Sequence, residues 1–193
     1  MRIDLPIYTF PGGLHGGNRV LISKSILSGS TAQVDFTFPA GFIGYEVVGV
    51  GILVDTDDVE IYVNLSSDNG ATFISTASAY EHARIVHNAT EGGQAGQGDA
   101  ADSKIIISNI AAAAGIGTAA GEGTNFKLIV ANAHLATIAP MVYGFVSMID
   151  ASTRPSTSTF GGILSALTVV NAIRFTLNSG TFTAGKFHLY GIN

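Results

Sequence analysis

Histidines are the side chains of this sequence best suited to metal binding or acid–base catalysis. There are five of them: His15, His82, His87, His134 and His188. His82 and His87 lie an odd number of residues apart, so on a β-strand they would point to opposite faces and share a metal only across a bulge. His188 lies between Phe187 and Leu189, and alternation predicts that it faces solvent or another subunit. We expect no catalytic and no metal-binding histidine.

The acidic run "DTDD" is a second candidate site and contains Asp55, Asp57 and Asp58. Clustered carboxylates bind calcium through hard oxygen ligands. The run lacks the fixed ligand spacing of a calcium-binding loop, and Asp and Thr are also ordinary turn formers between strands. The sequence favours a turn here, with an incidental cation site as the alternative.

Motifs of the major enzyme classes do not occur in this sequence. The stretch "GIGTAAGEG" misses the G-x-G-x-x-G spacing by one residue and lacks a βαβ context. We find no G-x-S-x-G elbow, no phosphate-binding loop, no H-E-x-x-H and no closely spaced carboxylate pair with obvious general-acid character. Glycosidase carboxylates come from distant strands and leave little local signature. We expect a protein that is not an enzyme and uses no cofactor.

Short strands separated by turn residues account for most of the chain. Eleven are predicted, at residues 19–27, 32–38, 45–54, 59–67, 80–86, 103–108, 124–131, 141–149, 162–168, 172–177 and 185–191. Val34, Phe36 and Phe38 alternate with polar residues, which predicts one buried face. Residues 45–54 form a nearly continuous apolar run, which fits burial on both faces. This spacing predicts an all-β fold, a jelly-roll-like antiparallel β-sandwich.

Three connecting segments carry specific expectations. The dipeptide Asn69-Gly70 is a strong hairpin signal. Residues 88–103, "NATEGGQAGQGDAADS", read as a polar, glycine-rich loop at the rim of the sandwich. Residues 172–191 read as two strands that are joined at Ser179-Gly180 and pair with each other, with the last strand held inside the sheet.

An extended N-terminal arm, residues 1–18, is expected to precede a single β-sandwich domain at residues 19–193. The arm contains two prolines and four glycines, and an isolated segment of this kind is normally disordered. Four apolar side chains predict instead that it docks onto a partner: Leu5, Ile7, Tyr8 and Phe10. Asp4 and Pro6 occupy positions where a signal peptide would be apolar, so we expect an unprocessed cytoplasmic product.

The composition of the chain indicates which kinds of partner to expect. Only 12% of the residues are charged, against about 25% in an average domain, while 47% are hydrophobic and the mean hydropathy is +0.39. This favours a surface covered by other subunits; the alternative is a monomer with a nearly neutral surface. The net charge of −5 argues against nucleic-acid binding. Apolar runs fall short of the ~18 residues that a membrane span needs, and there is no cysteine for disulfides or thiolate chemistry.

The order of motifs along residues 19–193 resembles a group of bacteriophage and prophage structural proteins. The resemblance rests on "IYVNLSSDNGATF", on "GDAADSKIIISN" and on the closing stretch, whose matching residues are Ile173, Arg174, Phe175, Ser179, Gly180, Phe182, Ala184, Gly185 and residues 189–192. It implies a jelly-roll or related β-sandwich that builds tail fibres, spikes or capsid decorations, often as a trimer, with no catalytic residues. Residues 1–18 lie outside the resemblance.

These observations predict a non-enzymatic structural protein of a virion, made in the cytoplasm of the host bacterium. We expect a capsid decoration (cement) protein or a short head or tail fibre module. It would assemble as a homotrimer and attach through its arm to the major capsid or tail protein. A second hypothesis is a carbohydrate-binding module that recognises a host surface glycan.

For the carbohydrate-binding hypothesis, the candidate aromatic contacts are Tyr45, Tyr62, Tyr80 and Tyr143. Their sequence settings are those of strand interiors, which weakens this hypothesis. A third hypothesis, a glycan depolymerase, is disfavoured by the length of the chain and by the missing acid pair.

Overall fold

The computed structural model describes residues 19–89, 94–108 and 115–193. This part of the chain forms β-strands and no helix, and every strand pairing is antiparallel. The strands are β1 (Arg19–Thr31), β2 (Gln33–Thr37), β3 (Gly44–Val54), β4 (Ile61–Ser66), β5 (Tyr80–Asn88), β6 (Gln94–Asp102), β7 (Ile105–Ile106), β8 (Gly123–Ala131), β9 (Met141–Ile149), β10 (Pro155–Leu164), β11 (Ala172–Leu177) and β12 (Phe182–Ile192).

Two sheets face each other and confirm the predicted antiparallel sandwich. The large sheet has the order β1-β12-β3-β8-β9-β10-β5-β6 and the small sheet the order β2-β11-β4-β7. The pairing is nested: β1 pairs with β12, β2 with β11, β3 with β8 and β4 with β7. A folded-over ribbon of this kind is the jelly-roll arrangement. The strand pairs β5–β6 and β9–β10 are additions that extend the large sheet alone.

Alternation of side chains places the core between the sheets. In β4, Ile61, Val63 and Leu65 are fully buried, and in β2 the buried residues are Val34 and Phe36, as predicted. The burial of both faces predicted for residues 45–54 is confirmed for residues 45–49, where all but the half-buried Val48 are buried, and is wrong for the rest of the strand. Val47 and Ile52 are buried, but Val50 is 46% exposed, because no element in the described part of the chain covers the far face of β3 at this end.

The closing stretch does not form the predicted two-stranded ribbon. β11 lies in the small sheet, whereas β12 lies in the large sheet between β1 and β3. Alternation identifies the buried face of each strand but not the sheet that it joins, which explains the error. The expectation that the last strand pairs inside a sheet is confirmed, since β12 has a neighbour on each side.

Other segments also differ from the sequence prediction. Residues 94–102, expected to be loop, form β6 at the sheet edge, where pairing with β5 alone stabilises a segment poor in β-branched residues. The strand predicted at 162–168 is β10, which begins at Pro155 and ends at Leu164. Asn69-Gly70 is a turn but not a hairpin, because β4 and β5 lie in different sheets.

Candidate functional site

The outer face of the large sheet, turned away from the small sheet, carries the most unusual surface chemistry of the described residues. Residues paired directly across antiparallel strands point to the same face. One row of such pairs crosses all eight strands on the outer face: Lys24, His188, Val48, Lys127, Phe145, Thr159, Ile85 and Gly96. The predicted outward position of His188 is confirmed, since Phe187 and Leu189 beside it are buried.

An apolar patch occupies the outer face of β8, β9, β10 and β5. Phe145 is 50% exposed and Tyr143 43% exposed, and Ile85 and Met141 are exposed beside them. We call this set the apolar half; its members are Ile85, Ile129, Met141, Tyr143, Phe145 and Ile163. Single exposed apolar residues are common, whereas a contiguous patch marks an interaction surface.

A cationic patch covers the outer face of β1, β12, β3 and β8. We call its four charged residues, Arg19, Lys24, Lys127 and Lys186, the cationic half. Its centre is Glu46, whose carboxylate is 2.6 Å from Arg19 and 2.6 Å from Lys127. The Arg19 guanidinium also lies over the Tyr190 ring, 3.9 Å from its centroid. Two cations around one buried carboxylate leave a surplus positive charge on this part of the sheet.

A hydrogen-bonded charge network lies on the inner face at the other end of the large sheet. His82 is buried, with Nε2 3.3 Å from Asp102 and Nδ1 3.2 Å from Arg84. Arginine only donates, so Nδ1 of His82 accepts a hydrogen bond from Arg84. Nε2 therefore carries the ring proton and donates a hydrogen bond to Asp102. Burial lowers the pKa of His82, and this outweighs the opposing effect of the hydrogen bond that His82 donates to Asp102. His82 is therefore neutral at pH 7 and part of the fold.

This network also contains the one metal-like grouping among the described residues. His82, Asp99 and Asp102 each offer a ligand atom within 4.8 Å of the others. Lys104 lies 2.9 Å from Asp102, and Arg84 contacts His82. A metal ion would have to displace the Nε2 proton and lie beside two cationic side chains, so this geometry favours a structural network over a metal centre. His87 points to the opposite face, as predicted.

The "DTDD" run forms the predicted turn. The Asp55 carboxylate accepts hydrogen bonds from the Thr181 amide and hydroxyl, at 2.7 and 2.6 Å. Asp57 accepts from the Thr118 amide at 3.1 Å, and Asp58 accepts from the Gly115 amide. The hydrogen bonds from Thr181 lower the pKa of Asp55. These carboxylates join three loops at one end of the sandwich.

A shallow cleft of about 460 Å³ opens between the edges of β1 and β2. Its lining includes Phe36 and Phe73 with the polar side chains of Asp35 and Asn69. Arg174 crosses one wall, where it binds Asp35 through two hydrogen bonds of 2.8 and 2.7 Å and covers the Phe73 ring at 4.0 Å. An aromatic ring beside polar groups suits a small polar ligand such as a sugar.

The structure places the predicted arm residues and the candidate tyrosines in different environments. Leu5, Ile7, Tyr8 and Phe10 lie outside the described residues. Tyr45 and Tyr80 are buried, as expected for strand interiors; Tyr80 donates to the Ile74 carbonyl at 3.0 Å. The interior position expected for Tyr143 is wrong.

Tyr62 is half-buried, and burial together with the nearby Glu60 carboxylate raises its pKa to about 12. Phe145 was not singled out from the sequence, although alternation in "MVYGFVSMI" puts it on one face with Met141 and Tyr143.

No helix among the described residues is long and apolar enough to span a membrane. No family model matches this chain, and no curated protein matches it. Among solved structures, the chain is similar to the CBM2 module of the evolved Dit of Lactobacillus casei BL23 phage J-1. The identity is 10% and the TM-score 0.28, over 98% of this chain and 83% of that chain. A TM-score this low carries no argument about fold or function.

Proposed function

We propose that this protein is a non-enzymatic structural module of a bacteriophage particle that assembles with copies of itself and with other virion proteins. The observation that carries the proposal is the apolar half, a hydrophobic patch with Tyr143 at its centre that no described part of the chain covers. The low content of charged residues, 12%, and the motif order shared with phage structural proteins support the same function.

In the particle, the protein is a capsid decoration protein or a short head or tail fibre module, and its oligomer is a trimer. Residues 1–18 anchor it to the major capsid or tail protein. They lead directly into β1, an edge strand of the large sheet. An arm attached there can leave the sandwich without disturbing the core. Leu5, Ile7, Tyr8 and Phe10 provide its apolar contacts.

Purified particles test this proposal. Antibodies against the protein should detect it in phage particles purified from the bacterium that carries its gene, at a fixed ratio to the major capsid protein. A variant with serine at positions 5, 7, 8 and 10 should remain folded by circular dichroism and fail to sediment with particles. Absence of the protein from purified particles would contradict the proposed function.

Glycan binding is the second candidate function, and the cleft beside Phe73 is the observation that favours it. On this hypothesis, the face of the Phe73 ring turned away from Arg174 stacks on a sugar ring while Asn69 provides polar contacts, and the ligand is a surface polysaccharide of the host. Titration of the protein with that purified polysaccharide tests it, with Phe73→Ala as the cleft variant. Equal binding by the wild type and by Phe73→Ala would rule out the cleft as the site.

A further inference from the structure

Charge is distributed unequally between the outer face and the rest of the molecule. The described residues contain eight lysines and arginines, and four of these are the cationic half. They contain twelve aspartates and glutamates, but the strands of the outer face present only two, Glu46 and Glu81. The remaining surface and interior therefore hold ten acidic groups against four basic ones. A protein with a net charge of −5 thus has one basic face.

The cationic half and the apolar half form one continuous surface. Lys127 is paired with Phe145 on one side and with Val48 on the other. Lys186 is paired with Ile26 and with Val50, both exposed. Basic side chains that alternate with exposed apolar ones suit a partner surface that is itself acidic and partly apolar.

We infer that the outer face docks head-to-tail onto the acidic surface of a second copy of this chain. The inference rests on the proposed function, because it identifies the surface through which copies assemble. Contact between two outer faces would bring four cations of each copy together, and like charges in an interface oppose association. A contact between different surfaces avoids this repulsion. Contacts of this kind form a closed ring when the rotation between copies closes, and a ring of three copies would be the expected trimer.

The acidic counterpart includes exposed carboxylates at one end of the sandwich. Asp55, Asp57 and Asp58 are exposed within four residues of the turn after β3. Their partners are backbone amides and the hydroxyls of Thr56 and Thr181, and none of the three forms an ion pair with a lysine or arginine of the described residues. A copy of the cationic half placed against this end would pair with them.

Sedimentation velocity of four proteins tests the inference: wild type, Phe145→Glu, Lys186→Glu and the control Thr37→Glu. Phe145 and Lys186 lie on the outer face, whereas Thr37 is exposed on the small sheet. We expect wild type and Thr37→Glu to sediment as the same oligomer. Each outer-face variant should weaken association at least about tenfold, as loss of a central interface residue does. The wild-type oligomer should also weaken between about 50 mM and about 500 mM salt, because salt screens exposed charges.

Two results would overturn the inference, and they differ in what they say about assembly. A wild-type oligomer that persists in both outer-face variants would show that copies meet through another surface, while self-assembly itself stands. A monomeric wild type at every concentration and salt would rule out self-assembly, and the particle experiment would then decide whether the protein is a component of the virion. Lys186 makes no ion pair with another described residue, so Lys186→Glu keeps the test valid should Phe145→Glu misfold.

Discussion

Phe175 and Phe187 lie on consecutive strands yet belong to opposite sheets, with their ring centroids 5.4 Å apart across the core. Phe126 and Phe182 complete the cluster, each with its centroid 5.5 Å from that of Phe187. The turn between β11 and β12 therefore carries the chain from one sheet to the other. The end of the chain holds the two layers together instead of forming a separate ribbon.

Truncation of Phe187 should destabilise the protein strongly. Its side chain is fully buried among three other rings, so Phe187→Ala should lower the free energy of unfolding by about 3–5 kcal/mol. Phe145→Ala is the matched control, because that ring is half exposed on the outer face, and it should cost less than about 1 kcal/mol. Urea unfolding at low protein concentration compares the two. Equal losses would contradict the assignment of inner and outer faces.

Deletion of residues 189–193 should abolish folding. The deletion removes the buried Leu189 and the pairing of this end of β12 with both β1 and β3. We expect insoluble protein or a chain without a cooperative thermal transition, measured by circular dichroism. A soluble truncated protein with a sharp transition would show that the strand is dispensable.

Two glycines on neighbouring strands should respond in opposite ways to alanine. A Cβ at Gly144 would lie 2.8 Å from Leu128 Cα and against the Lys127 carbonyl oxygen. Gly144→Ala should therefore force β8 and β9 apart at a cost of about 1–3 kcal/mol. A Cβ at Gly161 meets no atom within 4 Å, so Gly161→Ala should stabilise by about 0.5 kcal/mol. Thermal unfolding of both variants checks the sign of each change.

Stability should fall as the pH drops below about 6.5, the ordinary pKa of histidine. Burial lowers the pKa of His82 in the folded protein, so below this pH the unfolded chain binds more protons than the native state. The contribution of neutral His82 to the free energy of unfolding is fully present above pH 6.5. It is lost as the pH falls toward the lower pKa that His82 has in the folded protein. His82→Gln should remove this part of the pH dependence, whereas the exposed His87→Gln should retain it. Urea unfolding between pH 8 and pH 5 measures the slope.

Asp102 affects stability in a different, more acidic pH range. Hydrogen bonds from Lys104 and His82 lower its pKa, although burial opposes this. Its contribution is present above the ordinary aspartate pKa and is lost at more acidic pH. A pH slope that is the same in wild type and His82→Gln between pH 8 and pH 5 would contradict the neutral, buried state of His82.

The sequence predicts the fold class better than it predicts the site. Alternation in β2 is strong because one face packs on the core, so Val34 and Phe36 could be assigned correctly. Pairing partners depend on contacts between distant residues, and nothing local distinguishes the sheet of β11 from that of β12. β6 was missed because an edge strand of Gly, Gln and Ala lacks the β-branched signal.

The surface chemistry of the outer face could not be predicted from the sequence for a related reason. Periodicity shows that Tyr143 and Phe145 share a face, but not whether another layer covers that face. The cationic half is assembled from three strands that are far apart in sequence, β1, β8 and β12, with Arg19 and Lys127 meeting on Glu46. Only the strand order brings them together.

The mass of the purified protein in solution, measured by light scattering behind a sizing column, tests the central claim most directly. That claim is that the protein is an assembly module whose exposed apolar surface is covered by other copies. We predict a stable species at three times the 19.9 kDa mass of the monomer. A monomer at every concentration measured would contradict it.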